Sequence, residues 1–423
     1  MKAAKIHGSN RRMVWIGFAA MASVYFLSYF HRVSPSALAP YLMESFGVSG
    51  ALLGFMASTY FYSYGFMQPV VGVLVDRWKP RRVVTVSTML MSVGCLFFAL
   101  APGIGSAFIG RVLIGIGAGG VFVPCTWYVS KWFRLKERGF VFSLWLIAGN
   151  TGAIVAAGPL GALSSSIGWR GAMLFLTGIT VACGILAWFF IHDEPTGVSG
   201  SAPHNTAKVG ARNSSAHIPW TTILKELVQN KPVLFGMTAT LLSYGALMSF
   251  QGLWSIPFLI DVYGCSKTSA SNIMTLLPVG YVVGSFILGK VFDTKFGTLA
   301  FRAGYCLTLA VYLLFALFPN GLSLSMVGVT VFVLGFAYSV FSFIMRTYTE
   351  AIPPSHFGST MGIVNAMPLF GGVLLQPLTG YIFDAVGHGG PTHPLIAYRY
   401  FFIFLVLVLA VATFLAFGVR RRA

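Results

Sequence analysis

The feature that most constrains this chain is a recurring apolar run of membrane-crossing length. A membrane helix needs about 20 mainly apolar residues. Such runs recur along the chain at roughly residues 13–41, 51–75, 82–101, 106–130, 140–164, 171–191, 233–261, 270–292, 302–318, 323–349, 358–385 and 400–419. Charged residues make up only 9% of the sequence, against roughly 25% in an average soluble domain. Too little polar surface exists to clothe a soluble body of this size. An ordinary soluble enzyme and a disordered or acidic-tail protein are therefore excluded, and the expected fold class is all-α and polytopic, with twelve transmembrane helices.

The formal net charge of +18 does not indicate a nucleic-acid partner, because the basic residues fall in short clusters between apolar runs. These lie at 11–12, 77–82, 131–138, 290–302 and 420–422, on one set of loops, whereas the opposite set holds only Arg170, Lys267 and Arg399. This is the positive-inside pattern, and it puts both termini in the cytoplasm. An integral plasma-membrane protein is expected, in a bacterial inner membrane. The first apolar run lacks a small-residue cleavage site and reads as a retained span. The five cysteines show no metal-ligand spacing.

Two halves echo one another. Pro159-Leu160 is matched by Pro377-Leu378, Trp169-Arg170 by Tyr398-Arg399, and Gly72-x-x-x-Asp76 by Gly289-x-x-x-Asp293. Several echoes in register argue for a duplicated six-span unit. The expected organisation is an N-terminal bundle over 1–191, a cytoplasmic linker over 192–232 and a C-terminal bundle over 233–423. The linker is rich in Gly, Ser, Ala and Asn and turns amphipathic from Trp220, which reads as a short interfacial helix.

The loop after the second run reads Gly72-Val-Leu-Val-Asp76-Arg77-Trp-Lys-Pro-Arg81-Arg82. It resembles the signature loop of the major facilitator superfamily of secondary transporters. Lys79 stands where that family usually has Gly, so a different turn is expected. Asp76, with Arg77 and Arg81, is the expected gating latch, since a carboxylate can hold basic residues or a helix end of the other half. The second copy keeps Asp293 but has Thr294 in the Arg place, which predicts a weaker latch. Arg111-Val-Leu-Ile-Gly115-Ile-Gly117-Ala-Gly119-Gly120 is similar to a second family pattern, with small residues spaced for close helix packing. Gly158-Pro159-Leu160-Gly161 looks like part of the drug–proton antiporter motif, although Ile154 stands where a Gly is expected. The resemblance implies two six-helix bundles around a central cavity that opens to each side in turn.

Arginines fall inside three predicted runs, at Arg32, Arg111 and Arg346. An arginine at the bilayer centre costs roughly 2.5–3.5 kcal/mol on insertion scales, so each needs a partner, an anion or a wet cavity. The ten acidic residues lie near run ends or in loops, which leaves the ligand to supply the negative charge. Tyr25, Ser28, Tyr29 and Arg32 share one helix face. The segment Tyr29-Phe30-His31-Arg32, followed by Ala37-Leu38-Ala39-Pro40-Tyr41-Leu42, resembles the first helix of organophosphate antiporters and of organic-anion symporters such as the sialin group. In those families an Arg at this place binds phosphate or carboxylate, which implies that role for Arg32. The phosphate antiporters pair it with a second Arg on the seventh helix, and none is present over 241–254. One fixed cation suits a monoanion.

His31 is the expected proton-coupling group, because imidazole trades protons near neutral pH. Further candidate binding residues are Tyr60, Tyr64 and Gln68 on the second run, Trp127 and Tyr128 on the fourth, and Trp145 and Asn150 on the fifth. The later runs add Tyr244, Gln251, Trp254, Tyr338, Arg346 and Asn365. Aromatic and amide groups orient ligands, but each of these also fits plain packing, and Arg346 can pair with Glu350. No metal-spaced set, nucleotide-binding loop or nucleophile elbow occurs, so neither an enzyme nor a cofactor is expected. The leading expectation is a proton-coupled carrier of a small organic anion, acting as a monomer in the bilayer with a proton or counter-anion. A drug–proton antiporter, an organophosphate exchanger and a non-transporting scaffold remain as alternatives.

Overall fold

A computed structural model describes residues 8–193, 227–292, 294–341, 343, 357–387 and 393–419. Helices account for nearly all of these residues, and no strand occurs among them. The first half contains α1 (Gly8–Phe46), α2 (Gly50–Ala99), α3 (Ile104–Gly119), α4 (Phe122–Trp132), α5 (Leu135–Ala157) and α6 (Pro159–Phe190). The second half opens with α7 (Lys231–Ser249), a π-helical turn (Phe250–Trp254) and α8 (Ser255–Tyr263). It continues with α9 (Lys267–Met274), α10 (Leu276–Val291), α11 (Gly297–Leu317), α12 (Leu324–Tyr338), α13 (Phe357–Gly387) and α14 (Leu395–Gly418). Ten helical stretches among the described residues are long and apolar enough to cross a membrane. The expected run at 51–75 corresponds to the first part of α2 and that at 323–349 to α12, with residues 342 and 344–349 outside the described residues.

Run boundaries differ where single residues break the helix. The fifth run does not continue unbroken to 164: it ends at Ala157, and Pro159 starts α6 as its first residue, a position where the missing N–H costs nothing. Within α6, Gly168 at φ 76° turns the chain into the next span. Within α2 the corresponding break is Lys79, at φ 65° and ψ 157°. That combination of positive φ and extended ψ comes freely to glycine and costs another residue about 1–3 kcal/mol. The signature loop therefore keeps a backbone that suits Gly although the residue is Lys.

The same kind of corner occurs in both halves. Gly47 (φ 59°) ends the first span of one half, and Gly264 (φ 64°) ends the first span of the other. Two residues on, Ser49 and Ser266 each cap the next helix, accepting from Leu52 N–H and Ser269 N–H. Left-handed glycine followed by a hydroxyl cap both stops one helix and starts the next.

The halves meet at the end of the bundle that carries these corners. Gly54 faces the backbone of Gln376, and Gly50 faces Gly380, so α2 and α13 touch backbone to backbone. Ser36 and Ser255 share a hydrogen bond of 3.0 Å, and Glu44 pairs with Lys267 at 3.6 Å. The linker helix expected from Trp220 lies outside the described residues except at its end.

Candidate functional site

Helix α1 is built to bend and to carry charge. Pro35 has no N–H to give the carbonyl four residues back, that of His31. A buried carbonyl left unpaired is costly. Ser34 Oγ and Arg111 Nη1 supply the missing donors, at 3.2 and 2.8 Å. Arg111 also reaches Ala57 O at 3.5 Å and lies 5.3 Å from the centre of the Tyr60 ring. It is 1% exposed. Arg111 is thus a tie between α3, α1 and α2, not a side chain stretched to the membrane surface.

Arg32, one residue past His31, points into a cavity between the halves. With its mouth, this cavity holds about 890 Å³ of empty space. Tyr29, Asn150, Ser243, Tyr244, Gln251 and Tyr338 are among the polar residues on its wall. Arg32 alone is charged among the described lining residues. Its Nη1 donates to the Tyr244 hydroxyl on the other half at 3.0 Å. The guanidinium lies 4.3 Å from the Tyr29 ring centre, 5.2 Å from Tyr64 and 5.8 Å from Tyr60. Each cation–π contact of this kind is worth about 0.5–2 kcal/mol. They hold the charge in place without neutralising it, and Arg32 Nε has no hydrogen-bond partner among the described residues.

Not every expected binding residue reaches this cavity. Tyr25 stacks on the buried Trp145 at 4.3 Å and shares a 3.3 Å hydrogen bond with Tyr29, so these two support the wall from behind. Gln68 donates to Gly119 O at 3.4 Å, and Tyr128 donates to Val14 O at 3.0 Å, which makes both internal ties of the first half. Trp127 sits beside Lys131 on α4, its ring centre 5.7 Å from the ammonium. Trp254 donates to Thr379 at 3.2 Å inside the seam of α2 and α13. His31 is fully buried with its ring edge-on to Phe30, off the cavity wall, and neither ring nitrogen has a hydrogen-bond partner among the described residues. Arg81 is held within the first half: its backbone N–H donates to Asp193 at 2.9 Å and its guanidinium lies over Trp188. Arg77 is exposed. Arg346 and Asp293, and the side chains of Asp76 and Asn365, lie outside the described residues.

The cavity wall contains residues that the sequence did not single out. Tyr281 on α10 and Tyr305 and Thr308 on α11 face it. Their spacing of three along α11 was the available signal, but the surrounding run is uniformly apolar. The π-helical turn carries Gln251 onto the wall, as such turns often do at functional sites. Gln376 donates to Met248 O at 3.0 Å beside it.

The sequence matches the family model of the Major Facilitator Superfamily over residues 21–367 and 255–423. The chain belongs to this superfamily and is a secondary transporter of the membrane, not an enzyme. An uncharacterized transporter of Bacillus subtilis, YybO, is 26% identical over 389 residues, spanning 88% of each chain. The hexuronate transporter of the same organism is 23% identical over 90% of each chain. A probable sulfoacetate transporter of Cupriavidus necator, SauU, is 26% identical over 49% of this chain and 50% of its own. Among solved structures, a bacterial homologue of the lysosomal transporter Spinster in an inward-facing, unoccupied conformation superposes with a TM-score of 0.77. It is 18% identical over 96% of this chain and 97% of its own.

Proposed function

We propose that this transporter carries a small organic anion with a single acidic group, bound at Arg32 by alternating access of the two halves. The observation that carries this reading is the buried Arg32 guanidinium, the lone charge among the described cavity-lining residues. A similar transporter named for hexuronate, a sugar acid with one carboxylate, supports the same class, and one named for sulfoacetate, which carries a sulfonate and a carboxylate, supports organic anions more broadly. The rest of the wall is hydroxyl, amide and ring, which suits a neutral polar body attached to the acid group. A phosphate dianion calls for a second cation, and an organic cation for a carboxylate. Neither stands on the described wall.

Proton coupling belongs to the proposal, with His31 as its first candidate. In proteoliposomes, uptake of a labelled hexuronate or sulfonate is expected to saturate, to yield to competing monoanions and to accelerate under an acid-outside gradient. His31→Gln should keep binding and lose the acceleration. Transport of cationic drugs that no anion inhibits overturns the anion reading. Acceleration surviving in His31→Gln removes only His31.

We further propose that each half moves as one body, that both termini face the cytoplasm of a bacterial inner membrane, and that the α1–α2 end is outermost. Asp76 is proposed as the latch of the cytoplasmic face, with Asp293 as its weaker copy. A reporter active only in the cytoplasm, fused after Arg422, should be active. A silent fusion beside an active periplasmic one reverses the topology.

A further inference from the structure

The seam at the α1–α2 end, outermost in the proposed topology, contains a group of side chains that the anion site does not use. Asp384, near the end of α13, accepts the N–H of Gly50 at 2.7 Å and of Ala51 at 2.8 Å, on the other half. The first N–H groups of a helix lack intrahelical acceptors and carry partial positive charge. The carboxylate is therefore an electrostatic clasp on the start of α2. Beside it, Trp254 is seated on Gly50, where an added Cβ would come within 2.9 Å of its ring.

Behind Trp254 lies His393, outside the membrane-spanning segments and 4% exposed. Its ring centre is 5.4 Å from that of Trp254 and 4.8 Å from that of Phe383. Neither ring nitrogen has a hydrogen-bond partner among the described residues. Its backbone N–H donates to Asp261 Oδ2 at 3.0 Å, which also accepts the Tyr398 hydroxyl at 2.7 Å. Among the described residues, the titratable groups around it are thus Asp384 from α13, Asp261 from α8 and Tyr398 from α14.

We propose that His393 and Asp384 form an acid-sensitive clasp on the outer seal. With His393 neutral, Asp384 stays on the α2 N-terminus. A proton taken up by a free ring nitrogen gives the second half an internal cation that competes for the same carboxylate. Asp384 then leaves Gly50 and Ala51, and the seam parts.

Burial pushes the imidazole down from its usual value near 6.5 to about 4, and the nearby Asp384 charge offsets only part of this. The sealed state therefore binds fewer protons than an open state in which water restores the ordinary value. Acid favours opening as pH falls through 6.5, and the gain levels off below about 4. Between pH 7.5 and 5 the ratio of open to sealed protein should rise about 30-fold.

The inference rests on the fold and not on the anion assignment, so it is tested without substrate. Spin labels at Ile167→Cys and Leu395→Cys are placed on full-length protein in nanodiscs, with the native cysteines replaced by serine. Distances are then measured by pulsed electron resonance at both pH values. Acid should populate a longer distance. His393→Phe and His393→Gln should abolish that response, the first keeping the ring packing and the second a polar group. Asp384→Asn should lengthen the distance already at pH 7.5. A wild-type pH response in whichever histidine variant folds, or an unchanged distribution in Asp384→Asn, overturns the clasp.

Discussion

Replacing Arg32 with lysine is expected to weaken anion binding by about 30-fold or more, and replacing it with alanine to abolish binding, with both proteins folded. The guanidinium is nearly buried and already oriented by Tyr244 and three aromatic rings. It offers a planar fork to a carboxylate or sulfonate, whereas an ammonium offers a point. Losing one member of a desolvated charge pair costs about 2–5 kcal/mol. Isothermal titration with the substrate found in the uptake assay reads both variants directly. Alanine binding as tightly as wild type would sink the anion assignment, because no other described cation lines the cavity.

The long apolar runs and their charged loops made the membrane fold legible, since length and hydropathy are properties of sequence alone. Arg32 was legible for a similar reason: a cation inside an apolar run demands an explanation. Tyr128, Gln68 and Trp254 illustrate what was not. Helical spacing tells which residues share a face, but not whether that face turns to the cavity or to a neighbouring helix. Each of these side chains spends its polar atom on an internal tie. Arg111 was ambiguous until Pro35 was seen to leave a carbonyl for it, a pairing 80 residues apart. Tyr305 and Thr308 were hidden by the apolar run around them.

Gly371→Val is expected to deplete folded protein severely. A Cβ at Gly371 would meet the Leu241 carbonyl inside any normal contact distance, and it would lie 2.8 Å from the Gly245 nitrogen. Gly245 faces Gly371 in turn, its own added Cβ reaching the Gly371 backbone at 2.6 Å. Both obstacles are backbone and cannot rotate aside. Overpacking typically costs about 1–3 kcal/mol, and a clash between two helix backbones belongs at or above the top of that range. Gly371→Ala should sit between wild type and valine. Tyr244 adjoins Gly245, so surviving alanine protein should also bind its anion more weakly. Melting temperatures and yields of the purified variants test the order, and a valine variant that melts like wild type contradicts it.

The π-helical turn at Phe250–Trp254 sets the phase of the span that contains it. A turn of this kind accommodates one residue more than the α-helix it interrupts, and one residue of α-helix amounts to about 100° of rotation. Everything beyond the turn is therefore rotated relative to where an unbroken helix would put it. Upstream, Tyr244 faces the cavity. At the end of the turn and just past it, Trp254 and Ser255 meet the opposing half at Gly50 and Ser36. The extra residue lets one continuous stretch of chain address two surfaces that lie out of step with each other, so this single span ties the cavity wall to the contact between the halves.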